Sequence, residues 1–247
     1  DEKTIAHWFA EWGYQTAYVG KWHLASGPEP ERNYREQTVP KQFRGGWDWW
    51  CASDVLEFTS HSYDGHMFWG DGSRYEFPEG RYRVDAVTDV AMQFLQERDR
   101  ERPFILFVSY IEPHHQNDHN RYEGPKGSQE RWSDYEVPGD LLDTEGDWRE
   151  NFADYLGCCN ALDGALGRIR GALAEDGIGD ETVVLYTSDH ALPHAQCRVQ
   201  ARLPRWLPAH PDGGDGPRLH RRRRGERACQ PDRRAGHDAG RGRDPGA

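Results

Sequence analysis

GYQTAYVGKWHL, Gly13 to Leu24, sets the frame for the whole chain. Tyr14 to Gly20 reads as a strand, and the loop after it opens on Lys21-Trp22-His23. Working outward, Ile5, Trp8, Phe9 and Trp12 recur at helical spacing, with Thr4 placed to cap and Gly13 to stop a short helix. Residues 84–98 repeat the pattern, with Val84, Val87, Ala91, Phe94 and Leu95 on one side. Pro103 then precedes FILFVSY, a continuous apolar run of the kind found in strands covered on both faces. Residues 150–175 form the strongest helical pattern. Their stripe runs through Phe152, Tyr155, Leu156, Cys159, Leu162, Leu166, Ile169 and Leu173, with Gly177 as the stop. TVVLYT, Thr182 to Thr187, follows as another buried strand. Helix and buried strand alternate, which predicts an α/β layer fold with a mainly parallel sheet. Residues 25–83 carry Trp, Gly, Pro and charge without a clear period, apart from a hairpin turn at Gly70-Asp71-Gly72, and 116–149 read as a long surface excursion.

The chain has 247 residues, ten of them Trp, and a formal charge of −11. That length fits one α/β domain or two small ones, and the negative balance argues against nucleic acid as a partner. No apolar run is long enough to span a bilayer, and no signal peptide is visible, so localisation stays open. The five Cys fit no zinc spacing and read as ordinary thiols. Charge is divided unevenly. Residues 191–247 hold 13 Arg, no Lys and six acidic groups, while residues 1–190 hold 18 basic and 36 acidic groups. The tail also lacks Ile, Phe, Tyr and Met, so disorder is expected there.

In parallel sheets, polar chemistry collects at the carboxyl ends of the strands. Three clusters fall at such ends: Lys21 with His23, His114 with His115, and Asp189 with His190. Side chains two apart on an extended loop point the same way, so Lys21 and His23 converge on one point suited to a sulfate or phosphate oxyanion. A solvated Lys beside a packed His explains the same pair. His114 lies nearest its strand end, whereas His115 and His119 read as surface loop because PHHQNDH matches no zinc ligand spacing. A carboxylate closing a buried strand, as Asp189 does, calls for a positive partner such as a divalent cation with oxygen ligands. A cap on the following turn is the plainer account.

GYQTAYVGKWHL closely resembles the second signature of the sulfatases. PFILFVSYIEPHH resembles their strand ending in Pro-His, and TVVLYTSDH their strand ending in Asp followed by Asn or His. The resemblance covers residues 1–190 and implies an alkaline-phosphatase-like three-layer sandwich. It also implies hydrolysis of sulfate esters or sulfamates on a sulfated small molecule or carbohydrate, using calcium and a formylglycine made from Cys or Ser. Carried over by position, Lys21 would hold a sulfate oxygen, His23 would assist the formylglycine hydrate and His114 would sit by the leaving oxygen. Asp189 and His190 would bind the metal.

Two family features that precede GKWH, the C-x-P-S-R nucleophile motif and a paired-Asp metal motif, are not found before it here, so the domain is expected to be partial and the chain to show little turnover. CQPDR, Cys229 to Arg233, fits C-x-P-x-R, but it lies in the tail without strand or helix pattern around it. The tail reads as an out-of-frame translation starting near Ala191. Recoding Gln196–Asp212 with synonymous codons and shifting one base gives NAEYKRACHDGCLRIPM, which resembles the family's Lys-bearing segment. A genuine basic tail, binding nucleic acid or an acidic surface through Arg221–Arg224, is the other reading. A phosphoester or phosphonate hydrolase on the same fold, or a non-catalytic anion-binding fragment, remain as alternatives for the whole.

Overall fold

The computed structural model describes residues 2–26, 34–142 and 146–188. Its centre is a five-stranded sheet ordered β4-β3-β2-β1-β5. The strands are β1 (Gln15–Lys21), β2 (Trp49–Ser53), β3 (His66–Trp69), β4 (Arg74–Glu76) and β5 (Phe104–Ser109). β1 pairs parallel with β2 on one side and β5 on the other. β3 and β4 add an antiparallel hairpin beyond β2, turning at the expected Gly-Asp-Gly.

Among the described residues, six helices accompany the sheet: α1 (Ile5–Glu11), α2 (Leu56–Thr59), α3 (Arg83–Glu97), α4 (Ser128–Trp132), α5 (Gly139–Leu142) and α6 (Trp148–Glu175). Strand alternation sorts them into layers. Ala17 and Val19 of β1 face α3 and α6 through Val87, Val90, Phe94, Leu95 and Leu173. Tyr18 faces the other way, into a cluster of Ala6, Trp22, Tyr34, Val39, Trp47 and Trp50. The sheet is therefore covered on both faces, as a three-layer sandwich requires.

Three expectations are corrected. The apolar side of α1 is not its buried side: Ile5, Trp8 and Trp12 are exposed, and Ala6 is its buried residue. A seven-residue helix can be held by one small contact and its capping box, in which Thr4 and His7 exchange hydrogen bonds. β5 is only half covered, with Phe107 46% exposed. Among the described residues it is an edge strand. TVVLYT forms no strand there, and Leu185 is 85% exposed. The outer edge of β5 carries no strand among the described residues, and the run pairs with none, so its apolar side chains stay exposed. Continuous apolarity marks a capacity for burial and does not choose a partner. The expectation that residues 191–247 are disordered lies outside the described residues.

Two backbone features place the chemistry. Gly20 has φ 106°, and a Cβ there would collide with the carbonyl oxygen of Ser109, its partner on β5. Glycine lets the two strands close up just before Lys21. At the end of α6, Gly177 has φ 74°, and the N–H of Ile178 donates to the Leu173 carbonyl at 3.0 Å, stopping the helix where the sequence predicts.

Candidate functional site

Lys21 leaves the sheet at a fixed point. The Tyr18 hydroxyl donates to its carbonyl at 2.5 Å. The N–H groups of Trp22 and His23 go to the carbonyls of Ser53 and Asp54 at 2.9 and 2.8 Å, so the loop continues to track β2. The Asp54 carboxylate accepts from the Ala25 N–H at 2.9 Å and from the Ser26 hydroxyl, holding the far side of the same loop. His23 sits at φ 54°, a left-handed conformation uncommon for a non-glycine residue.

The side chains of Lys21 and His23 do converge, and they converge on a residue the sequence reading missed. Glu57 of α2 is 5% exposed, with Oε2 3.3 Å from Lys21 Nζ and Oε1 3.9 Å from His23 Nδ1. The 3.3 Å contact is an ion pair rather than a hydrogen bond, and Oε2 has no hydrogen-bond partner among the described residues. A carboxylate embedded in Val-Leu-Glu-Phe was the available signal, since an acid in an apolar run needs a cation.

His114 arrives from the neighbouring strand. After β5 the chain turns through a cis Glu112–Pro113 bond, and the His114 N–H donates to Ile111 at 2.8 Å. Burial lowers its imidazole below the ordinary value. The nearby Lys21 ammonium pushes the same way, while the Glu57 carboxylate and the bond to the His115 carbonyl oppose. Its Nδ1–H donates to that carbonyl at 2.5 Å, which leaves Nε2 as the ring's unprotonated nitrogen in the neutral form.

A buried ion pair fixes this loop. Arg83 Nε of α3 donates to Glu112 Oε1 at 2.8 Å, with both side chains at most 2% exposed. Arg83 Nη1 also reaches the carbonyl and hydroxyl of Ser60 and Gln116 Oε1, each at 3.2 Å. Burial alone would lower this guanidinium, but the Glu112 carboxylate, by charge and hydrogen bond, carries it above its ordinary value. Gln116 Nε2 in turn donates to the Glu57 carbonyl at 3.1 Å. One arginine therefore ties α3, the segment after α2 and the loop bearing His114. The sequence reading had passed over Arg83, Glu112 and Gln116.

Lys21 and His23 are thus brought together over Glu57 at the end of β1, and His114, after the end of β5, lies near enough for the charges of Lys21 and Glu57 to act on its imidazole. Asp189 and His190 lie outside the described residues. A cavity of about 430 Å³, lined in part by Gln15, Asp48, Arg98 and Arg102, lies at the opposite end of β1 and plays no part in this cluster. The described cysteines are free, and burial pushes the Cys51 and Cys158 thiols up and that of Cys159 to about 11, so none is an activated nucleophile.

The family model described as Sulfatase matches residues 1–226, running past the boundary that composition draws at 190. The chain belongs to the sulfatase family. It is 28% identical over 199 residues to the ulvan-active sulfatase of Formosa agariphila, covering 77% of this chain and 35% of that protein. It is also 32% identical over 114 residues to an N-acetylglucosamine-6-O-sulfatase of Bacteroides thetaiotaomicron, covering 46% and 17%. A crystal structure from Bacteroides fragilis, assigned to the sulfatases as yidJ, superposes with a TM-score of 0.63 at 22% identity, covering 76% of this chain and 43% of that one. That likeness shows the fold. The chain spans less than half the length of each of these relatives.

Proposed function

We propose that this chain carries part of the site of a sulfuric ester hydrolase acting on sulfated carbohydrates. The observation that carries the reading is the convergence of Lys21 and His23 on Glu57, with His114 following the adjacent parallel strand. The relatives' activities, on ulvan and on an N-acetylglucosamine 6-sulfate, support the substrate class. Lys21 offers up to three N–H donors to a sulfate oxygen. Held largely neutral, with its Nδ1–H on the His115 carbonyl, His114 would first accept a proton at Nε2 and then hand it to the departing oxygen. His23, on the same loop as Lys21, orients whatever attacks sulfur.

The site's cation would be held by Asp189 and His190. When bound, it draws negative charge off the sulfate oxygens. In this donor pair the carboxylate suits calcium, while the imidazole suits a softer ion, so the chemistry of the two residues fits calcium only in part. The nucleophile, a formylglycine in the family, has no counterpart among the groups described at this site.

Calorimetry on the full chain with calcium present tests the reading. Inorganic sulfate binds, and Lys21→Ala weakens it by on the order of tenfold, the loss of one charge-assisted contact. Tighter binding of phosphate than sulfate would favour the phosphoester reading. Sulfate affinity that does not change in Lys21→Ala would overturn both.

A further inference from the structure

His61, shortly after α2, and His119, in the loop after β5, stack ring on ring. Their centroids are 4.5 Å apart and their planes 8° from parallel. Burial does not force this contact, since both rings are substantially exposed. Both Nε2 atoms turn toward one oxygen, Asp118 Oδ2, at 2.8 Å from His61 and 4.0 Å from His119. Both Nδ1 atoms are held from behind by other carboxylates: Asp64 Oδ1 at 3.0 Å from His61, and Glu123 Oε1 at 2.6 Å from His119. Glu123 is braced by Ser62 at 2.8 Å and Arg121 at 3.1 Å, and Asp118 by Gln116 at 2.7 Å.

An imidazole held at one nitrogen by a carboxylate, with its second nitrogen turned to a shared point, is how metal-binding histidines are oriented. We propose that His61 Nε2, His119 Nε2 and Asp118 form a site for a divalent d-block cation of the zinc type, with Asp64 and Glu123 orienting the two rings. The three donors already lie within 4.8 Å of one another. Around a tetrahedral ion with bonds of about 2.1 Å, donors sit about 3.4 Å apart. Closing that difference needs only side-chain rotation and a splaying of the stacked rings. Two imidazoles and one carboxylate suit zinc rather than the oxygen shell of calcium. The ion takes the place of the proton between His61 and Asp118 and leaves a fourth position open. It cross-links residues 61–64 to the loop that follows β5 and bears His114. This inference does not depend on the sulfatase reading.

The full chain is titrated with zinc chloride by calorimetry and with cobalt chloride by visible absorption. His194, His210, His220, His237, Cys197 and Cys229 carry metal ligands of their own, so the readout is a difference of one equivalent. His61→Gln and His119→Gln each lose that equivalent together with the cobalt d–d bands. Asp64→Asn retains it with affinity weakened about tenfold, the effect of losing a ring-orienting partner. His66→Gln, outside the cluster, changes neither, and circular dichroism confirms that each variant folds. A His61→Gln/His119→Gln double variant with the parent's stoichiometry and spectrum would overturn the proposal, as would a parent chain that binds no zinc.

Discussion

At the scale of single residues, the site is governed by competition for Lys21. Its ammonium pairs with Glu57, a negative charge that would oppose a sulfate arriving at the proposed site. At an effective dielectric near 20, two unit charges 4 Å apart interact by about 4 kcal/mol, so even a screened fraction of that is visible in binding. Glu57→Gln therefore raises sulfate affinity by on the order of tenfold, measured by calorimetry against the parent. Unchanged or weaker binding would mean that Glu57 aligns Lys21 more than it opposes the anion. Lys21, His23 and His114 were legible because each follows a strand end in a short polar cluster. Glu57 was not, because its partner charges lie far from it in sequence. His119 was read as surface loop for the same reason: no local spacing reveals a ring stacked on it from His61.

At the scale of elements, the Arg83–Glu112 pair decides where the loop after β5 goes. Removing one member of a buried, hydrogen-bonded ion pair leaves the other charged and unmatched, which costs about 3–5 kcal/mol. Arg83→Met is accordingly expected to lower unfolding stability by about that amount in urea titrations. The Arg83→Met/Glu112→Leu double variant recovers a large part of it. A double variant that loses the sum of the Arg83→Met and Glu112→Leu losses would show that the pair contributes nothing as a pair. Helices α3 and α6 were readable because their apolar stripes face a packed layer over many turns. The stripe of α1 misled because a seven-residue helix can dock through Ala6 and its cap. In 116–149, the segment read as excursion contains a small core of its own, where Tyr122, Leu141 and Trp148 meet Phe152 and Tyr155 of α6. Aromatics spaced irregularly in sequence give no period from which to infer such a cluster.

At the scale of the whole molecule, three parallel strands with an antiparallel hairpin make the mixed sheet; α3 and α6 cover one face, and loop aromatics with Ala6 of α1 cover the other. The alternation of helix and strand made that layering legible, but strand order and the edge position of β5 were not. TVVLYT shows why: composition fixes what a segment can bury but does not choose the strand it pairs with, and among the described residues it pairs with none. The sheet also supplies the central claim, since β1 and β5 run parallel and in register, and so deliver Lys21 and His114 to the same rim. A crystal structure of the chain grown with sulfate tests this most directly. The account predicts a sulfate oxygen within hydrogen-bond reach of Lys21 Nζ, with His23 and His114 against the same ion. Lys21 still paired with Glu57, and sulfate bound only at other places, would contradict it.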